Sequence, residues 1–249
     1  MRDGSEALAR KAAAFRALVT RTMSPCDTCD AWPRSFCAGL PDREAAALEE
    51  IVTALRFSPG DVIVTQDEPA TVFFNVTKGY VKVYRTSGER AQVRGFLTAG
   101  DFLGLPVNGR FGFTAEALSD VEVCHFDRRR FEALMEKHPQ LEQRFMRLAS
   151  NELAAAQEQM MILRHKASRA RLAGLLVSLA RRDSCGHKTV HRLSLPMSRA
   201  DIANFIGVSP ETVSRAFASL TTAGLIALDD PGYCRLRDLA GLERLADLD

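Results

Sequence analysis

The feature that most constrains the fold is the stretch Leu195–Ile226, which contains two helix patterns separated by a glycine. Ser198 is a favourable N-cap residue, and Asp201 three positions later completes an acidic form of the capping box. Gly207 ends the first helix, because glycine adopts left-handed backbone conformations at little steric cost. The apolar side of this helix consists of Ile202, Phe205 and Ile206.

The second helix of this stretch begins with a cap of its own. Ser209 is the predicted N-cap, and Pro210 takes the first helical position, where a missing N–H costs nothing. Gly224 ends the element. Its buried stripe consists of Val213, Phe217 and Leu220. Two short helices joined by a tight turn predict a helix-turn-helix, whose second helix enters the major groove of double-stranded DNA.

The side chains predicted to face the groove lie near the start of the second helix. Arg215 can make a bidentate contact to guanine, Glu211 can accept a hydrogen bond from cytosine, and Ser214 can reach a base edge or a phosphate. The alternative is a solvated helix start with a surface Glu and Arg. The full predicted DNA-binding set is Ser198, Arg199, Ser209, Glu211, Thr212, Ser214 and Arg215.

The spacing of Glu211, Ser214 and Arg215 resembles the recognition helix of the FNR branch of the CRP/FNR regulators. The cyclic-AMP branch has an Arg before the Glu, where this chain has Pro210. The resemblance implies half-sites of the TTGAT type, in which Glu211 and Arg215 read G·C pairs.

Length and composition set wider limits. A chain of 249 residues forms one large domain or two modest ones. The net charge is only +2, so DNA binding must come from local basic patches. No run approaches the ~20 apolar residues that a membrane span needs, and the first residues lack the apolar core of a secretory signal. We therefore expect a cytoplasmic protein, in a reducing compartment where cysteines more often bind metal or react than form disulfides.

Four cysteines form a candidate metal site. Cys26 and Cys29 are a C-x2-C pair, Cys37 follows in the same Pro-containing loop, and Cys124 lies in a strand-like run much further on. Thiolates suit zinc or an iron–sulfur cluster, and the residues alone do not choose between them. The second C-x2-C clip of a usual structural zinc site is missing, which favours a larger cluster. A chance set of small apolar residues is the remaining alternative.

This cysteine set resembles the ligand set of FNR proteins, and its spacing is similar to the FnrN and FixK members of alpha-proteobacterial type. The resemblance implies a [4Fe–4S] cluster held by Cys26, Cys29, Cys37 and Cys124. It also implies a dimer that binds DNA under low oxygen and releases it when oxygen converts the cluster. Cys185 and Cys234 match no ligand position, and Cys185 is predicted to be an inert surface thiol.

From about Phe57 to Phe126 the apolar pattern has period two, with turns at 58–61, 86–89 and 98–101. This predicts a small antiparallel barrel or jelly roll. Its Gly-Asp turns resemble the β-roll of cyclic-nucleotide-binding domains, which implies that fold here. The region that would hold a cyclic phosphate lacks a Glu after Gly104 and has Phe113 where the Arg would be, with Arg110 out of register. We therefore expect no cyclic nucleotide, and a roll that places Cys124 beside the N-terminal loop.

A long helix is predicted from Pro139 to Leu163. Its apolar positions alternate at spacings of three and four, which indicates a coiled-coil dimer seam. The alternative is a helix that packs only on its own roll. The seam residues are Met146, Ala149, Leu153, Ala156, Met160 and Leu163. FNR proteins characteristically have an acid on the seam where this chain has Ala156, so we expect the cluster-free protein to dimerise more readily than a typical FNR.

The fold class predicted is α+β. Residues 1–40 form an N-terminal helix and cysteine-rich loop, 41–136 a β-roll sensor domain, 137–165 the dimerisation helix and 166–249 a winged helix-turn-helix domain.

No nucleophile–base pair or Gly-rich phosphate loop is present and the five histidines are scattered, so we expect no enzyme. The hairpin around Gly88 is a candidate contact for RNA polymerase. The rival function is a family regulator that senses a heme-bound gas, a redox change or nothing, with structural or zinc-binding cysteines.

Overall fold

The computed structural model describes Cys26, Cys29, Ala31 and residues 35–88, 90–104, 108–164, 167–183, 192–228 and 232–246. The predicted N-terminal helix, which the sequence places at about residues 6–21, lies outside the described residues, as do Cys185 and the side chain of Leu163. The chain divides into two compact units, one comprising residues 1–81 and 97–148 and the other residues 82–96 and 149–249.

The predicted α+β fold class is confirmed. The first part of the described chain contains helix α1 and eight strands: α1 (Asp42–Glu49), β1 (Val52–Phe57), β2 (Val62–Val64), β3 (Val72–Lys78), β4 (Val81–Ser87), β5 (Arg90–Leu97), β6 (Phe102–Leu103), β7 (Thr114–Ala117) and β8 (Val121–Asp127). Helices and three strands follow: α2 (Arg128–Met135), α3 (Pro139–Arg164), α4 (Ser168–Asp183), β9 (Arg192–Ser194), α5 (Arg199–Ile206), α6 (Pro210–Thr222), β10 (Ile226–Ala227), β11 (Tyr233–Leu236) and α7 (Leu239–Leu245).

An antiparallel sheet with the strand order β1-β8-β3-β6 forms one wall of the first unit. β2 pairs with β7 in the same unit. Two of the predicted turns have the same geometry: Asp61 and Asp101 each accept a hydrogen bond from the backbone N–H three residues earlier, at Ser58 and Thr98.

A cluster of phenylalanine rings fills one end of the first unit. Phe131 at α2 contacts Phe73, Phe126 and Phe36, with ring centroids 5.3 to 5.7 Å apart. Phe145 on α3 packs on Phe131 at 5.5 Å. Aromatic pairs at these separations contribute beyond their buried area. The cluster therefore ties the segment before α1, the sheet and the first turns of α3 into one core.

The second unit has a helical core with a small sheet of order β10-β11-β9. α4 packs on α6 and α7, and α5 packs on α6. Every apolar residue predicted for this core is buried: Leu172, Leu175, Leu176, Leu179, Ile202, Phe205, Ile206, Val213, Phe217 and Leu220. The sheet supplies the wing predicted after Gly224. The winged helix-turn-helix is therefore the architecture of this unit.

The strands β4 and β5 pack on α5 within the second unit. The side-chain amide of Asn204 on α5 forms two hydrogen bonds to the main chain of β5. Its oxygen accepts from the Val93 N–H at 2.7 Å, and its nitrogen donates to the Ala91 carbonyl at 2.8 Å. The Lys82 Nζ lies 3.2 Å from the Asp201 carboxylate. Because Asp201 also belongs to the capping box, this ion pair holds the start of α5 against the hairpin.

Helix α3 leaves much of one face uncovered. Met146, Leu153 and Met160 are 61%, 62% and 60% exposed, Ala156 is exposed and Ala149 is half-buried. Within the described residues, no helix is both long enough and apolar enough to cross a membrane. Large apolar side chains repeated along one helix face are typical of a surface that a partner covers.

Candidate DNA interface and cysteine site

The N-terminus of α6 is organised by hydrogen bonds among its own side chains. The Ser209 hydroxyl accepts from the Thr212 N–H at 3.3 Å, and Pro210 occupies the first turn, as predicted. The Arg215 guanidinium donates to the Thr212 hydroxyl at 3.2 Å, and the Ser214 hydroxyl donates to the Pro210 carbonyl at 3.1 Å. These contacts restrict the side chains to one side of the helix before any DNA is bound.

The exposed face of α6 carries opposite charges side by side. Glu211, Ser214 and Arg215 are exposed, whereas Val213 and Phe217 are buried on the opposite face. A hydrogen bond from its own backbone N–H, one from Ser209 and the charge of Arg215 hold the pKa of Glu211 below its usual value. Glu211 is therefore an ionised acceptor next to a cationic donor, which is the pair that cytosine N4 and guanine O6/N7 require.

The other members of the predicted DNA-binding set have structural contacts. Ser198 caps α5 and exchanges both hydrogen bonds of the capping box with Asp201. The Arg199 guanidinium lies 3.5 Å from the centroid of the Phe217 ring, half-buried, and burial lowers its pKa. Arg199 therefore joins α5 to α6. Ser209 and Thr212 form the cap of α6.

The cysteine site lies in the first unit, at the edge of the phenylalanine cluster. Cys124 on β8 is buried, and Cys26, Cys29 and Cys37 are half-buried. Cys37 packs against the same core that contains Cys124. Successive turns order this loop, with the Ser35 N–H bonded to the Ala31 carbonyl at 2.9 Å. Residues far apart in sequence are thus brought to one place.

The four thiols are close enough to influence one another. Burial, opposed by a hydrogen bond from Ser35 and assisted by the nearby charges of Cys26 and Cys29, raises the pKa of Cys37 to about 12. Burial also raises the pKa of Cys124, with added contributions from Cys29, Cys37 and Cys26. A group of buried thiols that repel one another as thiolates is stabilised by a bound cation.

The arrangement does not match a single metal ion. In the described part of the chain, no group of three or more His, Cys, Asp or Glu side chains is arranged to hold one ion. Four thiolates on one zinc would converge at Zn–S distances of about 2.3 Å. A [4Fe–4S] cluster binds each thiolate through a different iron, which needs four sulfurs around a wider centre. Four cysteine thiolates are the donor set that a [4Fe–4S] cluster requires.

Two contacts join the cysteine loop to helix α3, and neither was predicted. Phe36, beside Cys37, packs on Phe131 at 5.7 Å, and Phe131 packs on Phe145. Arg144 donates to the Gly39 carbonyl at 3.0 Å. Their sequence signal was a single Phe next to a cysteine and an Arg on the flank of the seam, neither of which specifies a partner.

The region that would hold a cyclic phosphate contains local contacts. Arg110 donates to the Asp67 carbonyl, and its neighbours Phe111 and Phe113 contact each other with ring centroids 6.3 Å apart. Residues 105–107 lie outside the described residues. That the roll binds no cyclic nucleotide stays a prediction.

A β-roll followed by a long helix and a winged helix-turn-helix defines a class of DNA-binding transcription regulators. Family models agree with both halves: one of the cyclic nucleotide-binding domain matches residues 54–138, and one of the Crp-like helix-turn-helix domain matches residues 170–245.

Individual proteins match over most of the chain. The nitrogen fixation regulation protein FixK of Bradyrhizobium diazoefficiens is 34% identical over 222 residues, covering 89% of this chain and 93% of that protein. The transcriptional activatory protein AadR of Rhodopseudomonas palustris is 32% identical over 223 residues, with the same shares of 89% and 93%. The solved structure of FixK2 from Bradyrhizobium japonicum has a TM-score of 0.71 at 29% identity, over 78% of this chain and 97% of that one. The chain therefore belongs to the CRP/FNR family of transcription regulators, which confirms the family predicted from its motifs.

Proposed function

We propose that this protein is an oxygen-responsive cytoplasmic transcription regulator, mainly an activator, that acts as a homodimer with an intact [4Fe–4S] cluster. The observation that carries the proposal is the meeting of Cys26, Cys29, Cys37 and Cys124 at one place beside the core, where Cys124 is buried and the other three are half-buried. As thiolates these four residues would form the all-cysteine donor set that such a cluster needs.

The DNA half of the proposal rests on α6. Glu211 and Arg215 read G·C pairs in near-palindromic sites with TTGAT-type half-sites. Ser209 and Thr212 hold these side chains in place, and Arg199 holds α6 on α5. A two-fold dimer would place its two copies of α6 in successive major grooves, about 34 Å apart.

The dimer would form along the exposed face of α3. Met146, Leu153 and Met160 repeat at seven-residue spacing and are largely exposed in the single chain. Such side chains pack as knobs into holes of a second helix. Ala156 on the same face permits close approach of the two helices.

In the sensor half of the proposal, the four cysteines are the ligands of the cluster. When bound, the cluster would supply an iron centre that reacts with oxygen. The chain itself would supply the four thiolates and, packed against Cys37 and Cys124, the apolar surface of the phenylalanine cluster. Phe36 and Gly39 flank Cys37, so a movement of the loop would disturb Phe131, Phe145 and Arg144 and thereby the start of α3.

An activator must also contact RNA polymerase. The tip between β4 and β5 is a suitable surface, because Gly88 has a left-handed φ of +60° and nothing lies within 4 Å of where a side chain would begin. The name of AadR describes it as an activatory protein. We extend that role to this chain through the Gly88 hairpin.

Oxygen-titrated DNA binding tests the proposal. The protein is purified without oxygen, its iron and sulfide are measured, and its affinity for a TTGAT-type palindrome is followed as oxygen is added. We expect about four iron and four sulfide per chain, and affinity that falls as oxygen rises. Cys29→Ala should bind DNA weakly even without oxygen.

Cys185→Ala is the matched control, because Cys185 lies outside the four predicted ligands. It should behave as the wild type. Equal affinity of Cys29→Ala and wild type without oxygen would remove the sensor role and leave the DNA role. A Soret band would indicate heme, and a colourless protein with bound zinc would indicate a structural site.

A further inference from the structure

Three side chains form a row across the sheet beside the cysteine site. β3 lies between β8 and β6, and Asn75 on β3 is the direct partner of Cys124 on one side and of Phe102 on the other. Cross-strand partners project from the same face of a sheet, with Cβ atoms about 4.5–5.5 Å apart. Asn75 therefore lies next to Cys124 on the face that carries the phenylalanine cluster.

Asn75 is a polar residue in an apolar place. Its side chain is 1% exposed, and its Oδ1 has no hydrogen-bond partner among the described residues. The row ends in Phe102, and the adjoining core residues Phe73 and Phe126 are aromatic. Buried polar atoms of native proteins are almost always satisfied, so an exception needs an explanation.

The chemistry of the amide matches the chemistry of the neighbouring sulfur. An asparagine carries two N–H donors and a carbonyl acceptor, which exchange places when the amide rotates by half a turn. A thiolate is an acceptor, and donors to ligand sulfurs alter the redox properties of iron–sulfur clusters. The Asn75 Oδ1 acceptor lacks a partner among the described residues. Half a turn of the amide would put an N–H donor in its place, and a ligating thiolate could accept from that donor.

We propose that Asn75 donates a hydrogen bond to the Cys124 sulfur when that sulfur is a cluster ligand, and that this bond slows attack on the cluster by oxygen. The inference rests on the proposed function, because it requires Cys124 to be a ligand. The N–H···S bond withdraws negative charge from the sulfur, which stabilises the electron-rich form of the centre. Asn75 is thus a positioning residue that sets oxygen sensitivity.

A purely structural role predicts something different. If Asn75 only packed in the sheet, its replacement would weaken the protein with and without the cluster alike. If Asn75 finds its hydrogen-bond partner only when Cys124 is a cluster ligand, an apolar replacement removes an unsatisfied polar group from the cluster-free protein and stabilises that form. The same replacement exposes the loaded cluster to faster oxidation. A replacement that stabilises the cluster-free protein and also speeds oxidation of the loaded cluster therefore distinguishes the proposed role from a purely structural one.

The test compares Asn75→Leu with wild type. Leucine has a branched side chain in place of the amide and carries no hydrogen-bond donor. Asn75→Val is a second, smaller apolar variant in case leucine is too large for the site. Val76→Thr is the matched control, because Val76 is equally buried on the same strand and projects from the opposite face. Unfolding midpoints are measured on cluster-free protein, and loss of the visible cluster absorbance in air is timed on loaded protein.

We expect both Asn75 variants to raise the cluster-free unfolding midpoint and to lose the cluster about tenfold faster in air, the factor that corresponds to one hydrogen bond to a charged acceptor. Val76→Thr should lower the midpoint and leave the rate unchanged. A variant that takes up iron and sulfide normally and decays at the wild-type rate would overturn this inference alone. Wild-type protein that takes up no cluster would overturn the proposed function as well.

Discussion

The residues at the start of α6 divide between those that hold the helix and those that, in the proposed function, read DNA. Ser209 and Thr212 bond to each other and to the backbone, which leaves Glu211 and Arg215 as the charged groups of the exposed face. Arg215 is already oriented by Thr212. A side chain held in place before binding loses less conformational entropy when it meets a base.

Arg215→Lys should therefore relax sequence preference while leaving general DNA affinity in place. Lysine keeps the charge but cannot make the two parallel bonds to guanine. We expect a loss of about 1–3 kcal/mol of discrimination at the affected base pair. Competition binding with a wild-type site and a site carrying A·T at that position measures it. Arg235→Lys, on an exposed arginine of the wing, is the control and should leave the preference unchanged.

Asp201 predicts how the stability of the second unit depends on pH. Burial acts to raise its pKa, but hydrogen bonds from Ser198 and the charge of Lys82 outweigh burial and lower the pKa below its ordinary value. A group whose pKa is lower in the folded state stabilises the fold above its unfolded pKa of about 3.9, and that contribution is lost as pH falls through the folded value.

Asp201→Asn should then be less stable than wild type near pH 7, by roughly 1 kcal/mol for a weakened cap. The difference should shrink progressively below pH 4. Urea unfolding of both proteins across this range measures it, with Asp120→Asn at an exposed turn as the control. A difference that stays constant down to pH 2 would mean that the charge of Asp201 contributes nothing.

Helices and their caps were predictable from sequence because their signals are local. Ser198, Asp201, Gly207, Ser209 and Pro210 each perform the role that their identity predicts. α3 ends within one residue of its predicted bounds. These features depend on residues three or four positions apart, and the sequence presents those residues together.

Short strands and side-chain partners were less predictable because they depend on distant segments. β1, β6 and β7 were not assigned: β6 has only two residues, and β1 pairs with β8 some 70 positions away. Helix α1 was also missed. The cysteines were grouped by spacing and family resemblance, but the partner of Asn75 and the route from Phe36 to Phe145 appear only when the chain is folded.

Helix α3 predicts that cluster-free protein dimerises more readily than a typical FNR protein. Ala156 lies on the exposed face between Leu153 and Met160. Two facing aspartates there would repel in a partly buried contact, whereas two alanines do not. Cluster-free wild type should therefore dimerise at tens of micromolar concentration, a value we estimate from ordinary interface affinities.

Ala156→Asp should convert cluster-free protein to monomer in sedimentation experiments at the same concentration. Ala154→Asp adds the same charge at another exposed alanine of α3, outside the predicted seam, and should leave the dimer intact. Wild type that sediments only as monomer would contradict the expectation, as would a dimer that survives Ala156→Asp.

For the whole molecule, a switch needs a physical connection from the sensor to the dimer contact. One such connection in the first unit runs from Cys37 through Phe36 and Phe131 to Phe145 on α3. A ligand shifts an equilibrium only by its differential affinity for the two states, and a change from 1:99 to 99:1 requires about 5.5 kcal/mol. Ring contacts that differ between the loaded and the oxidised loop are a suitable source of part of that difference.

Phe145→Leu should therefore weaken the coupling between the cysteine loop and the dimer contact, and leave the binding of cluster and of DNA unchanged. Leucine fills most of the space but loses the ring contacts to Phe131, Phe73 and Phe102, which are 5.5 to 5.7 Å apart. Each such pair contributes about 0.5–1.5 kcal/mol, so the ratio of dimer dissociation constants in air and without oxygen should fall on the order of fivefold.

Phe74→Leu provides the comparison for this variant. Phe74 is buried on β3, more completely than Phe145, but lies outside the phenylalanine cluster and packs on His125 instead. Phe74→Leu should lower stability at least as much as Phe145→Leu and preserve the wild-type ratio. If both variants reduce the ratio equally, the effect is one of general stability. If neither does, the signal reaches α3 by another route, of which the Arg144 bond to Gly39 is the structural candidate.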